Sequence, residues 1–195
     1  MEYSHLAVQP SIGTMRICRP EQGQPGVTMD SPAMLVMTDL KRVAAAVVSP
    51  HDSMDAAHAH MMQRGVRMLL VVDGTQDLAG IITATDILGE KPVSVARDRR
   101  IRHADIRVSD LMTPAERLDA FDMHTVQAAR VGQVVASLQR ARRHHALVIQ
   151  RTAEGGSEVR GIFSLSQIAR QLGVPLALPG QAGSFAEIEA ALAAT

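Results

Sequence analysis

The chain states one pattern twice, and that repetition limits its fold more than any other feature. MLVMTD (Met34 to Asp39) returns as SDLMTP (Ser109 to Pro114), MLLVVD (Met68 to Asp73) as HALVIQ (His145 to Gln150), and GIITATDI (Gly80 to Ile87) as GIFSLSQI (Gly161 to Ile168). The copies stand 75 positions apart at Met37 and Met112, 77 at Met68 and His145, and 81 at Gly80 and Gly161. The last increase falls in one loop, where RTAEGGSEVR replaces GTQDLA. Two copies of one structural unit are therefore expected. Each is small enough to have a thin core, so the copies should pack together.

Within the first copy, VAAAVV leads into PHDS, where Asp52 and Ser53 are good helix N-cap residues. Met54, Ala57, His58, Met61 and Met62 then recur at helical spacing, and Gly65 supplies a stop. MLLVV, bounded by a DG turn, reads as a mostly buried strand, LAGIIT as the next strand, and a helix opens at Thr83. In the second copy Val131, Val134, Val135 and Leu138 form the matching stripe, ALVI and VRGIF the strands, and Ser164 to Leu172 the last helix. The unit is strand, helix, strand, strand, helix: an α+β fold with a small sheet covered by two helices.

The order of these elements, the GII-Thr-x-x-Asp signature, the GVRMLLVVD run ahead of it and the LMT segment before each copy resemble a tandem pair of cystathionine-beta-synthase (CBS) domains, a Bateman module. The resemblance covers roughly residues 33 to 173 and implies two repeats docked about a pseudo-twofold axis. It divides the chain into an irregular leader (1–32), repeat 1 (33–90), a linker (91–108), repeat 2 (109–173) and a tail (174–195). In the tail, Ser184 and Glu187 have capping-box spacing ahead of a short helix carrying Phe185, Ile188 and Leu192 on one face, which is expected to dock on the module or on a second chain.

Thr83 and Asp86, three residues apart at the first turn of a helix, point to the same side. A carboxylate and a hydroxyl so placed can hold a vicinal diol with charge-assisted hydrogen bonds. The same spacing is also what ordinary N-capping looks like. The resemblance implies the first role, with Thr83 and Asp86 gripping the ribose of an adenosine compound: AMP, ADP, ATP or S-adenosylmethionine. In the second copy Ser164 keeps the hydroxyl but Gln167 replaces the carboxylate, so that cleft is expected to bind adenosine compounds poorly. Arg67 and its counterpart His144 match positions from which family members reach toward phosphate, and an arginine fork suits that anion. Each also reads as something plainer: Arg67 as a solvated strand-edge charge, His144 as part of a cationic helix end.

Composition excludes several classes. Lys+Arg and Asp+Glu both number 20, so no net charge draws the chain to nucleic acid or an anionic membrane. With no Trp, one Tyr and three Phe, it lacks platforms for stacking single-stranded bases. The run RDRRIRH (Arg97 to His103) reads as solvated linker charge. No apolar stretch is long enough to span a bilayer, and MEYSHLAVQPSIG lacks a signal-peptide pattern, so a cytoplasmic location is expected. Cys18 is the only cysteine and forms no internal disulfide. His51, His58 and His60 diverge around a helix, which argues against a shared metal. No P-loop, GxSxG or HExxH is present, and the chain reads as a binder with no enzymatic role. A homodimer and a regulated protein partner are what the resemblance adds; the rival is a nucleotide-free dimerisation module in which Thr83 and Asp86 only cap.

Overall fold

The computed structural model describes His5 and residues 26–178. Cys18 and the expected helix with Phe185, Ile188 and Leu192 lie outside those residues. After β1 (Thr38–Asp39), repeat 1 runs β2 (Val47–Val48), α1 (Met54–Arg64), β3 (Met68–Val72), β4 (Leu78–Thr83) and α2 (Ala84–Leu88). Helices α3 (Lys91–Arg99) and α4 (Val108–Leu111) and strand β5 (Thr113–Pro114) follow. Repeat 2 then gives β6 (Ala120–Asp122), α5 (Met123–Ala128), α6 (Val131–Arg140), β7 (His145–Arg151), β8 (Ser157–Ser164) and α7 (Leu165–Leu172). The expected α+β architecture of two similar sheet-and-helix units is present. Both central hairpins are interrupted at the same place, between Val71 and Val72 and between Val148 and Ile149, so the duplication extends to an irregularity of the backbone.

Each repeat lends its leading segment to the other. The sheets run β2-β3-β4-β5 and β1-β8-β7-β6, so β1 edges the sheet of repeat 2 and β5 that of repeat 1. Thr38 pairs with Ile162, and Thr113 with Ile81. The residues just before these strands go with them. Ala33, Val36 and Met37 fill the core of repeat 2, whereas Ile106, Val108 and Leu111 fill that of repeat 1. Asp39 and Arg160 fasten one exchange with two side-chain hydrogen bonds, and those bonds hold the Asp39 carboxyl below its usual range.

Alternation along the strands explains why MLLVV is apolar throughout. Leu69 and Val71 face α1 and α2, while Met68 and Leu70 face the second sheet and meet Ile81 and Leu147 in a core between the repeats. The signature glycines belong to the strand exchange. A Cβ on Gly80 would lie 2.3 Å from the Thr113 carbonyl oxygen, and one on Gly161 would lie 2.6 Å from the Met37 sulfur.

Helix α1 begins where expected, with the Ser53 hydroxyl accepting from the Ala56 N–H at 3.1 Å, and ends at Gly65 in the left-handed conformation, φ 63°. Asp52 instead accepts from the Ser49 N–H. Met62, read as part of the buried stripe, is 65% exposed, because only Met54, Ala57 and Met61 face the sheet. Helix α3 lies inside the stretch read as a connection. Its Val95 and Ala96 pack on the core of repeat 1, a pattern too short to stand out among six neighbouring charges of the segment 97–105 (Arg97, Asp98, Arg99, Arg100, Arg102, Asp105). At the other end, Leu178 is buried against repeat 2 and Gln139 donates to the Ala177 carbonyl at 3.0 Å.

Candidate functional site

Among the described residues, the two larger clefts between the repeats are lined according to the exchange of segments. The helix start of one repeat faces the leading strand and the pre-β3 or pre-β7 turn of the other. The smaller cleft, about 210 Å³, joins Thr83 and Asp86 of repeat 1 to Thr113 and to the basic turn from Arg142 to His145. The larger, about 500 Å³, joins Ser164, Gln167 and Arg170 of repeat 2 to Thr38, to Ala44–Ala46 and to the turn from Arg64 to Met68. Arg67, His145 and Ser166 line both.

Thr83 and Asp86 come together as the sequence predicts, but mostly facing one another. The Thr83 N–H and hydroxyl donate to Asp86 Oδ2 at 2.9 and 2.7 Å, and the Asp86 N–H donates to Thr83 Oγ1 at 3.2 Å. This is a complete capping box. Lys91 Nζ holds the other carboxylate oxygen at 3.1 Å and also donates to the Leu111 carbonyl. A carboxylate offers about four acceptor positions. Three are taken, and the side chain is only 18% exposed.

Ser164 and Gln167, one turn into the matching helix, are arranged differently. Ser164 makes no cap; its hydroxyl lies 3.1 Å from that of Ser166. The Gln167 Oε1 accepts from the Thr38 hydroxyl of the exchanged strand at 3.2 Å, which leaves the amide NH₂ available to the larger cleft. Arg67 and Arg170 enter no ion pair among the described residues, and Arg64 reaches only the Ala44 carbonyl, at 3.5 Å. His144 is exposed and lines the smaller cleft, as Arg67 lines both.

Sequence reasoning missed Lys91, Arg64, Arg170 and Thr38. The spacing of Arg170, three residues after Gln167 on the same helix face, was the available signal. Thr38 and Lys91 act across the fold, from a crossing strand and a helix hidden in a charged segment. His145 is mostly buried in the shared wall. Desolvation, and then the charges of His144 and Arg67, push its imidazole down to about 4 from 6.5. The Arg-rich run is largely neutralised locally, by Arg97–Asp98, Arg99–Asp110 and Arg102–Asp105 pairs. Among the described residues no His, Cys, Asp and Glu side chains cluster to hold a metal, and no helix is long and apolar enough to cross a membrane.

Residues 36–101 match the family model of the CBS domain. That stretch is similar to a CBS domain. Solved structures extend the likeness over both repeats. An uncharacterized conserved protein from Pyrococcus horikoshii aligns with 74% of this chain and 93% of its own, at 25% identity and a TM-score of 0.53. CBSX2, the CBS-pair protein of Arabidopsis thaliana, in complex with AMP, aligns with 72% of this chain and 94% of its own, at 21% identity and 0.52. A protein with CBS domains from Burkholderia ambifaria covers 74% of this chain and 89% of its own, at 20% and 0.50. Comparison with curated proteins gave no match. The fold is thus that of a CBS pair, with the exchanged strands β1 and β5 joining the two CBS repeats.

Proposed function

We propose that the chain is a regulatory module that binds an adenosine nucleotide between its CBS repeats and transmits occupancy by changing how the repeats dock. The observation that carries this reading is the larger cleft. Its volume, about 500 Å³, lies within the range of about 300–1,000 Å³ usual for small-molecule sites. Leu40, Val43 and Ile162 give it an apolar wall for a base, while Arg64, Arg67 and Arg170 bring three guanidinium groups for phosphate. CBSX2, similar in fold, is solved with AMP, which supports the ligand class.

Geometry favours this cleft over the one containing Asp86. There the capping box and Lys91 already occupy the carboxylate, whereas the free Gln167 amide can donate to a ribose oxygen. A ligand touching both repeats biases their docking by its differential affinity for two arrangements, the minimal mechanism for signalling to a partner protein or a second chain. Thermal denaturation with AMP, ADP, ATP and S-adenosylmethionine tests the reading. At 100 times its dissociation constant a ligand adds about 2.7 kcal/mol, a rise of roughly 5–10 °C for a chain of this size. Arg170→Ala should abolish the shift and Asp86→Ala should keep it. If none of the four compounds moves the transition, the reading fails.

The capping box at Thr83 supports a second reading, a nucleotide-indifferent dimerisation module. Leu88 and Val93, both 67% exposed, would belong to its contact. It predicts a dimer in light scattering whose stability none of these compounds changes.

A further inference from the structure

Gln167 lines the larger cleft where its counterpart in the smaller one is Asp86, and that difference reverses the hydrogen-bonding sense of the position. An ionised carboxylate only accepts, and so suits the hydrogens of a free diol; an amide whose oxygen is engaged is left to donate. The Gln167 oxygen is engaged, by the Thr38 hydroxyl of β1 at 3.2 Å. Its N–H groups therefore suit an oxygen that brings lone pairs and no hydrogen.

Charge in this cleft points the same way. Among the described residues no acidic side chain lines it, while Arg170 enters from repeat 2, and Arg64 and Arg67 enter from repeat 1. Arg170 follows Gln167 by three residues on α7, so the two lie on one face of that helix. Arg64 ends α1 and Arg67 precedes β3, both in the opposite repeat. The cations thus stand on two walls of one cleft. A phosphate monoester carries about −1.5 to −2 at neutral pH, so one such group leaves part of three guanidinium charges unbalanced, whereas two, at about −3 to −4, balance them. A sugar phosphorylated at both ends would span the two walls.

We infer that the larger cleft selects a nucleoside bisphosphate, with the 5′ phosphate facing Arg64 and Arg67 and the second phosphate, on the ribose 2′ or 3′ oxygen, held by the Gln167 amide and the Arg170 guanidinium. Gln167 is the specificity-determining residue: it donates to the oxygens of a ribose phosphate and offers a free diol no acceptor. AMP binds with one wall unmatched. The inference rests on the nucleotide reading of this cleft and names the ligand class within it.

Calorimetric titration of the full chain with adenosine 3′,5′-bisphosphate, adenosine 2′,5′-bisphosphate, AMP and ADP tests it. ADP carries both phosphates at one end of the sugar and so separates placement from total charge. One of the bisphosphates should bind at least tenfold more tightly than AMP and ADP, the worth of a hydrogen bond to a charged group. Gln167→Glu keeps the shape of the side chain and puts a carboxylate where the donor was. It should weaken that bisphosphate at least tenfold and change AMP less than threefold, which removes the preference. Gln167 is half-buried in the first turn of α7, where an acidic residue is favourable, so the variant should fold, and a melting curve checks this. The wild-type comparison stands without it. The inference is overturned if AMP or ADP matches the better bisphosphate, if Gln167→Glu keeps the preference, or if it weakens AMP and the bisphosphate alike. In each of those cases a nucleotide still binds and the nucleotide reading survives. If none of the four compounds binds, that reading falls and this inference falls with it.

Discussion

His145 sits where both clefts and the inter-repeat core meet, and its imidazole is held neutral well below its ordinary range. Its folded pKa, about 4, lies under the unfolded value of 6.5. Between those values the unfolded chain takes up a proton that the folded chain refuses, so stability falls as the pH drops from 6.5 toward 4. At about 1.4 kcal/mol per pH unit the full loss is on the order of 3 kcal/mol. Urea denaturation at steps between pH 7 and pH 4 should show this decline, and His145→Gln should flatten it. An equally steep decline in the variant would place the acid sensitivity elsewhere. Asp39 works at lower pH: its Arg160-held carboxylate stabilises the fold above the unfolded carboxylate pKa, and that contribution disappears as the pH falls through the lowered folded value.

At the scale of elements, β4 and β8 meet their exchanged partners at Gly80 and Gly161, but the two contacts differ in hardness. Gly80 faces a backbone carbonyl that cannot turn away, whereas Gly161 faces the flexible side chain of Met37. Gly80→Ala should therefore cost about 2–3 kcal/mol, near the upper end for overpacking, and Gly161→Ala nearer 1 kcal/mol. Chemical denaturation of the two variants compares them directly, and equal losses would contradict this account. These glycines also show how far the sequence could be read. Repetition, the stripe on α6, the caps of α1 and the hairpins were legible because each rests on neighbours in the chain. The glycine's reason was not, because its partner comes from the opposite repeat. The same holds at the candidate site. The pairing of Thr83 with Asp86 was visible as spacing, with capping one of its two readings. Lys91, which takes the remaining carboxylate oxygen, sits on a helix that charge density concealed.

For the whole molecule, the two repeats are not independent bodies. Ile106, Val108 and Leu111 precede repeat 2 in sequence but belong to the core of repeat 1. Leu111→Ala, at a fully buried position, should destabilise by about 2–5 kcal/mol. Because the cores share a third cluster around Met68 and Leu147, the loss should appear in one transition for both halves. Two separated transitions in that variant would argue that the repeats unfold on their own.

That interdependence reaches back to synthesis on the ribosome. Strand β1 is made well before its hydrogen-bonding partner β8, with Thr38 waiting for Ile162, 162 − 38 = 124 positions later. Until then the nascent chain carries an unpaired strand and the apolar residues Ala33, Val36 and Met37, whose cover comes from repeat 2, an exposure that invites premature pairing with neighbours. Only after β8 has emerged can both sheets close, and the clefts between them come into being at that same moment.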